Sequence, residues 1–160
     1  MAKTRYGNEL HPCYKKWQDT VQRCENPNHI SYHNYGARGI RIHPSLRQWS
    51  DWVAYVESLE NYSPALSLDR ICNNKGYEKG NLRWVTMSVQ IANQRFSGKG
   101  NNKFTGVNYS KTHNRWIARV TLEGKSLLSK VCSSELEALT IRNQFILDNK
   151  LPHTLQPYTT

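Results

Sequence analysis

The chain has 160 residues, room for one moderate domain or two very small ones. Its 22 Lys and Arg against 12 Asp and Glu leave a formal net charge of +10, an excess that a polyanionic partner would balance. No stretch reaches the ~18 apolar residues of a membrane helix, and Met1-Ala2-Lys3-Thr4-Arg5-Tyr6 lacks the apolar core of a secretion signal, so a soluble, intracellular chain without a membrane partner is expected.

Residues 11–24 read as a helix, because Tyr14, Trp17, Val21 and Cys24 recur at three- and four-residue spacing among Lys15, Lys16, Asp19 and Gln22. Asn26-Pro27-Asn28 stops it. The loop Tyr32-His33-Asn34-Tyr35-Gly36-Ala37-Arg38-Gly39-Ile40 follows, with two glycines that permit unusual backbone angles. A second helix is expected near 46–60, with Trp49, Trp52, Val53, Val56 and Leu59 on one face, and Ser63-Pro64 closes that segment. Leu66-Ser67-Leu68-Asp69-Arg70-Ile71 alternates apolar and polar like a half-buried strand. Asn73-Asn74-Lys75-Gly76 is a turn, and Asn81-Leu82-Arg83-Trp84-Val85 returns as a second strand. Thr86 or Ser88 caps a helix over about 87–96 that carries Gln90 and Asn93.

Between Glu78 and Glu123 there is no carboxylate, while Lys79, Arg83, Arg95, Lys99, Lys103, Lys111, Arg115 and Arg119 all fall inside. A surface that approaches phosphates excludes like charge in this way. Residues 97–103 form a flexible basic linker. Three strands follow, Gly106–Tyr109, Arg115–Thr121 and Ser126–Val131, then a helix over about 134–149, and Pro152 lies beyond its end. Five Trp and nine Tyr supply large apolar anchors for two small cores. Cys13, Cys24, Cys72 and Cys132 stand far apart with no C-x-x-C pair, so structural zinc is not expected and reduced, buried thiols are.

Leu68-Asp69-Arg70-Ile71, Asn73-Asn74, Gly76-Tyr77, Asn81-Leu82-Arg83-Trp84, Gln90 and Asn93 occur in order behind Arg23-Cys24-x-Asn26-Pro27 and Tyr35-Gly36-x-Arg38-Gly39-Ile40. Over residues 10–96 this pattern resembles a group of phage HNH endonucleases. The resemblance implies a ββα unit holding one divalent metal, magnesium or alternatively manganese, that steadies the scissile phosphate. On that template Asp69 is the first metal ligand, and Gln90 or Asn93 supplies a carbonyl oxygen suited to a hard cation. Asn81 matches the middle asparagine, which braces the loop between the strands. The family's general base is a His directly after the metal-binding Asp, and here that position is Arg70. Arginine stays protonated, so Arg70 is expected to bind phosphate and stabilise transition-state charge. The base then falls to Tyr35, as in ββα-metal proteins that draw a tyrosine from an upstream segment, or to His33. A tyrosine with the ordinary pKa of about 10 needs help from the metal or from Arg70. Arg38 is a second phosphate contact.

Gly106-Val107, Arg115-Trp116-x-Ala118-x-Val120, Gly124-Lys125 and Glu137-Ala138 resemble the three-strand-plus-helix DNA-binding domain of plant ethylene-response factors. The usual Leu-Gly-x-Phe before the helix is here Leu128-Ser129-Lys130-Val131. Alternation puts Arg115, Ile117, Arg119 and Thr121 on one face and Trp116, Ala118 and Val120 on the other. With the helix claiming the second face, Arg115 and Arg119 contact DNA, flanked by Lys111, Lys125 and Lys130, while Arg83, Arg95, Lys99 and Lys103 add to the basic surface.

The expected architecture is therefore α+β. A nuclease domain with flanking helices spans 1–96, a basic linker 97–103, a three-stranded antiparallel sheet packed on one helix 104–150, and a tail 151–160. The expected function is hydrolysis of duplex DNA, by nicking or, through a homodimer or a second event, by double-strand cleavage. Two alternatives stand beside it: a DNA-binding protein with a decayed nuclease site, and an RNA-directed nuclease or binder. If phage-encoded, the chain would act in the cytoplasm of the infected bacterium, in homing, restriction or genome processing.

Overall fold

In the computed structural model, which describes residues 5–6, 9–94 and 103–157, the chain is mixed α+β and divides into two units, Met1–Met87 and Ser88–Thr160. Among the described residues no helix is long and apolar enough to cross a membrane.

The first unit opens with a short antiparallel pair, β1 (Arg5–Tyr6) and β2 (Glu9–Leu10), to which the sequence reading assigned no element. Helix α1 (Pro12–Glu25) follows. Proline is free of cost at its first position, where the missing N–H would have had no partner, and the His11 ring accepts the Cys13 N–H at 3.1 Å. Helix α2 (Trp49–Ser58) is shorter than the expected 46–60. Its upstream residues instead make a 3-10 turn, Pro44–Leu46, capped by His43. Trp49, Trp52, Val53 and Val56 of α2 meet Cys13 and Cys24 of α1 in one core, completed by Ile40, Ile42, Leu46, Tyr77, Leu82 and Trp84.

Strands β3 (Ser67–Arg70) and β4 (Leu82–Val85) pair antiparallel, with Asp69 opposite Arg83 and Arg70 opposite Leu82. Burial does not follow the expected alternation to the end of β3. Ile71 is 49% exposed while Asp69 and Arg70 are each only 7% exposed. The strand ends at Arg70, so Ile71 already belongs to the loop, and packing rather than the pleat decides where it points.

In the second unit, helix α3 (Met87–Asn93) lies almost wholly on the far side of the division at Met87. Strands β5 (Val107–Ser110), β6 (Arg115–Leu122) and β7 (Lys125–Cys132) form an antiparallel sheet in that order. Helix α4 (Glu135–Asp148) packs on all three strands. Phe104, Val107, Ala118, Cys132, Ala138 and Leu139 make the core between them. Glu123 and Gly124 have φ of 51° and 75°, the two positive angles that let a two-residue turn follow the twist of its strands. The Ser134 hydroxyl accepts the Glu137 N–H at 3.1 Å, and the Glu137 carboxylate accepts the Ser133 N–H at 2.7 Å. The Ser133 hydroxyl donates to the same carboxylate at 2.6 Å, and this bond first, then the cap, holds the Glu137 carboxyl below its usual pKa.

Past α4 the chain turns back onto its own unit. Thr154 donates to the carbonyls of Ala92 and Asn93 at 3.1 and 2.6 Å, and the Gln156 side chain accepts the Thr105 N–H at 2.9 Å. His153 Nε2 donates to the Thr121 carbonyl at 3.0 Å. Burial, and secondarily the charge of Arg142, push its pKa below the usual 6.5. The unfolded chain therefore takes up this proton first. The stability held by neutral His153 is complete above about pH 6.5 and falls as pH drops through that value toward the lower folded pKa. Thermal melts between pH 8 and 5 should show this loss, and His153→Gln should flatten it; an unchanged slope in the variant would remove His153 as the cause.

Candidate functional site

The loop between β3 and β4 is held from within by Asn81. Its Nδ2 donates to the carbonyls of Gly76 at 2.9 Å and Cys72 at 3.3 Å, and its Oδ1 accepts the Cys72 N–H at 2.8 Å. One buried amide thus satisfies three backbone groups of a loop that has no ladder of its own. Cys72 is gripped by its backbone, which leaves its thiol outside: it is exposed, unlike Cys13, Cys24 and Cys132. The expectation that every thiol is buried therefore fails at this one position.

The upstream segment 32–43 docks on that loop. The Tyr77 N–H donates to the Arg41 carbonyl at 2.8 Å, and the His43 N–H to the Tyr77 carbonyl at 2.9 Å. Arg38 bridges the two loops, from the Asn34 carbonyl at 3.0 Å to Asn74 Oδ1 at 2.9 Å. A motif glycine permits this approach: a Cβ on Gly76 would lie 2.3 Å from the Arg41 carbonyl oxygen. Gly36 does the same against α1, where a Cβ would lie 2.4 Å from the Cys24 carbonyl oxygen.

At the centre of the contact two guanidinium groups share two phenol rings. The Arg70 guanidinium lies 5.1 Å from the Tyr35 ring centroid and 5.3 Å from that of Tyr77. Arg23 lies 4.6 and 5.2 Å from the same rings, and its Nη1 reaches the Tyr35 hydroxyl at 3.5 Å. Each ring face offers negative potential that compensates charge withdrawn from water. Arg70 also donates from Nη1 to the carbonyls of Lys75 at 2.7 Å and Asn73 at 3.0 Å. Burial pushes the Tyr77 phenol up to about 12, which keeps it neutral. Arg23 and Tyr77 received no role from the sequence, although both stand inside quoted motifs. The only signal was a cation at position 23 beside the apolar stripe of α1.

Asp69 faces the other way from Arg70, as successive strand residues do. Its Oδ2 accepts from Arg83 Nε at 3.1 Å and Nη2 at 3.0 Å. Arg83, expected on the DNA surface, is thus the cross-strand partner of the expected metal ligand. Gln90 is half-buried and Asn93 buried on α3, which belongs to the second unit, whereas Asp69 belongs to the first. Among the described residues no three His, Cys, Asp or Glu side chains gather; a set of one carboxylate and one amide would form no such group. His33 is exposed, its Nε2 taking a hydrogen bond from the Asn34 amide at 2.9 Å. Within the first unit, then, Tyr35, Arg38, Arg70 and Asn81 stand around the docked loops, and His33 stands on their rim.

The second unit carries the other cations. Arg115, Arg119 and Thr121 are exposed on one side of β6, while Ala118 and Val120 are buried on the other. Lys111 is exposed in the turn before β6, Lys125 at the start of β7, and Lys103 ahead of β5. Register places Lys130 opposite Ala118, on the helix side and close enough to Glu137 to favour its charge, away from Arg115 and Arg119. Arg95 and Lys99 lie outside the described residues, as does the end of the helix expected to reach 96. The chain matches no protein-family model, no curated protein and no solved structure.

Proposed function

We propose that this chain is a metal-dependent endonuclease of the HNH kind that hydrolyses phosphodiester bonds in duplex DNA. The observation that supports it most is the docking of the Tyr35-Gly36-x-Arg38-Gly39-Ile40 loop on the β3–β4 loop. Residues 36 positions apart, Arg38 and Asn74, are bonded there, and Tyr35 comes to lie against Arg70. Motifs that are scattered along the sequence meet in one place.

In this reading Tyr35, acting as its phenolate, takes the proton of the attacking water and leaves the step as the phenol, while the guanidinium groups of Arg23 and Arg70 hold its ring in place. Arg38, half-buried at the rim, takes the phosphate on the incoming strand. Arg70 acts less by touching phosphate than by holding Tyr35 and the loop, since its Nη1 is spent on two carbonyls. The donor type at Asp69, a buried carboxylate, fits a hard divalent cation. Asp69 would hold it, and the cation would polarise the phosphate and acidify bound water. Arg83 shares the Asp69 carboxylate and would yield part of it on metal binding.

The outer face of the second unit's sheet places the enzyme on DNA. Arg115→Ala and Arg119→Ala should each weaken duplex binding on the order of threefold to tenfold and lower the slope of log affinity against log salt by about 1. Fluorescence anisotropy at several salt concentrations measures both. Lys130→Ala, on the helix side, should change neither.

The rival reading, a DNA-binding protein without catalysis, is favoured by the Arg83 grip on Asp69. Incubation of supercoiled plasmid and phage DNA with magnesium, manganese or chelator separates the two. Nicked circles that appear before linear product, and only with metal, support the nuclease; tight duplex binding with no cleavage of any DNA in any metal supports the rival. Competition by duplex RNA tests the choice of polymer.

A further inference from the structure

The second unit contains a cleft of about 740 Å³, within the range of small-molecule sites. Ile91, Ala92 and Val120 give it apolar wall, and Asn108, Arg119 and Arg142 line its polar part. Arg142 is the residue that the fold alone does not explain. It is only 2% exposed, yet among the described residues no carboxylate pairs with it. Its Nη1 donates to Asn143 Oδ1 at 3.2 Å and to the Thr154 carbonyl at 3.4 Å, and its Nε has no acceptor. Burial works against this charge and pushes its pKa down to about 10, so the group is still cationic at neutral pH. Gly106 makes room for it, since a Cβ there would lie 2.9 Å from Nε. His153, also in the lining, has a buried Nδ1 without a partner. One acid, Glu123, reaches the lining.

A buried cation left without counter-charge is strongly disfavoured unless something supplies the missing charge and acceptors. An oxyanion supplies both, whereas a neutral or cationic ligand would leave Arg142 as it is. The cleft is larger than a bare phosphate needs, and its apolar wall and amide groups suit a ring with polar edges. We propose that this cleft binds the phosphate of a nucleotide, with Arg142 as the buried counter-charge and the apolar wall against the base or sugar. The nucleotide is a free mononucleotide or the 5′-phosphate end of a strand, which share this chemistry. Neither the cleft nor the test requires the nuclease activity.

Calorimetry and thermal melting of the full chain decide it, with thymidine, thymidine 5′-monophosphate, inorganic phosphate, and a short oligothymidylate with and without a 5′-phosphate. Thymidine 5′-monophosphate should stabilise the protein and thymidine should not. Arg142→Met should bind the phosphorylated ligands at least about tenfold more weakly while melting no lower than wild type without ligand. A preference for the 5′-phosphorylated oligonucleotide over the mononucleotide assigns the site to strand ends, and equal affinity assigns it to free nucleotide. Gln94→Glu, an exposed substitution in the lining, should weaken binding several-fold and serves if Arg142→Met fails to fold. No binding of any phosphorylated ligand at millimolar concentration overturns the proposal. So does affinity unchanged in either variant, which would move the binding to cations outside the cleft lining, such as Arg115 and Lys125.

Discussion

Asp69→Asn is expected to lower metal-dependent DNA cleavage by at least ~10²-fold while leaving duplex affinity within about twofold. The substitution keeps the shape of the side chain and removes the charge that a divalent cation requires. DNA affinity should survive, because the proposed duplex contacts, Arg115 and Arg119, belong to the second unit. The fold should survive as well. Arg83 loses its partner, but its side chain is 32% exposed and can turn to water, so a loss of only about 1 kcal/mol is expected. Plasmid cleavage in magnesium and manganese, beside a melting curve and an anisotropy titration of the same sample, measures all three. Cleavage at the wild-type rate by a folded Asp69→Asn protein would remove Asp69 from the reaction and with it the proposed metal site.

Trp52→Ala should destabilise the first unit by about 3–5 kcal/mol, the range for removing a large aromatic from a closed core. Trp52 is completely buried and packs on Tyr77 with ring centroids 6.0 Å apart. A domain of this size has a total stability of only about 5–15 kcal/mol, so the variant sits near the limit of folding. The effect should reach the candidate site, because Tyr77 is one of the two rings that hold Arg23 and Arg70. Trp52→Phe should cost less than its lost area suggests, because the Trp52 indole N–H is buried without an acceptor and its removal relieves that penalty. Urea denaturation of the two variants checks both values. A Trp52→Ala protein as stable as wild type would mean that the core closes around the gap.

Helix periodicity located α1 and α2 because each buries one face, and a buried face repeats at the helical spacing whatever it packs against. Alternation located β6 for the same reason, with Ala118 and Val120 inward and Arg115 and Arg119 outward. The motif residues of the β3–β4 hairpin were legible as a set, and so was the stop after Glu25.

Local pattern carried no account of which charges meet. Arg83 and Asp69 are partners because the hairpin register sets them opposite one another, and register depends on where a loop of eleven residues closes. Arg70 turned inward to two carbonyls and two rings because the segment 32–43, bound through the backbone of Tyr77, covers it. Lys130 and Arg119 differ by face, although both are exposed cations on neighbouring strands. The buried Arg142 gave no warning at all, since a single arginine on a helix reads as surface until the chain after that helix folds back over it. Spacing along the chain therefore determined which elements form and which face of each is apolar, because those follow from local geometry. The pairing of side chains in the candidate site and in the cleft was decided by tertiary packing, which brings together residues that no local period relates.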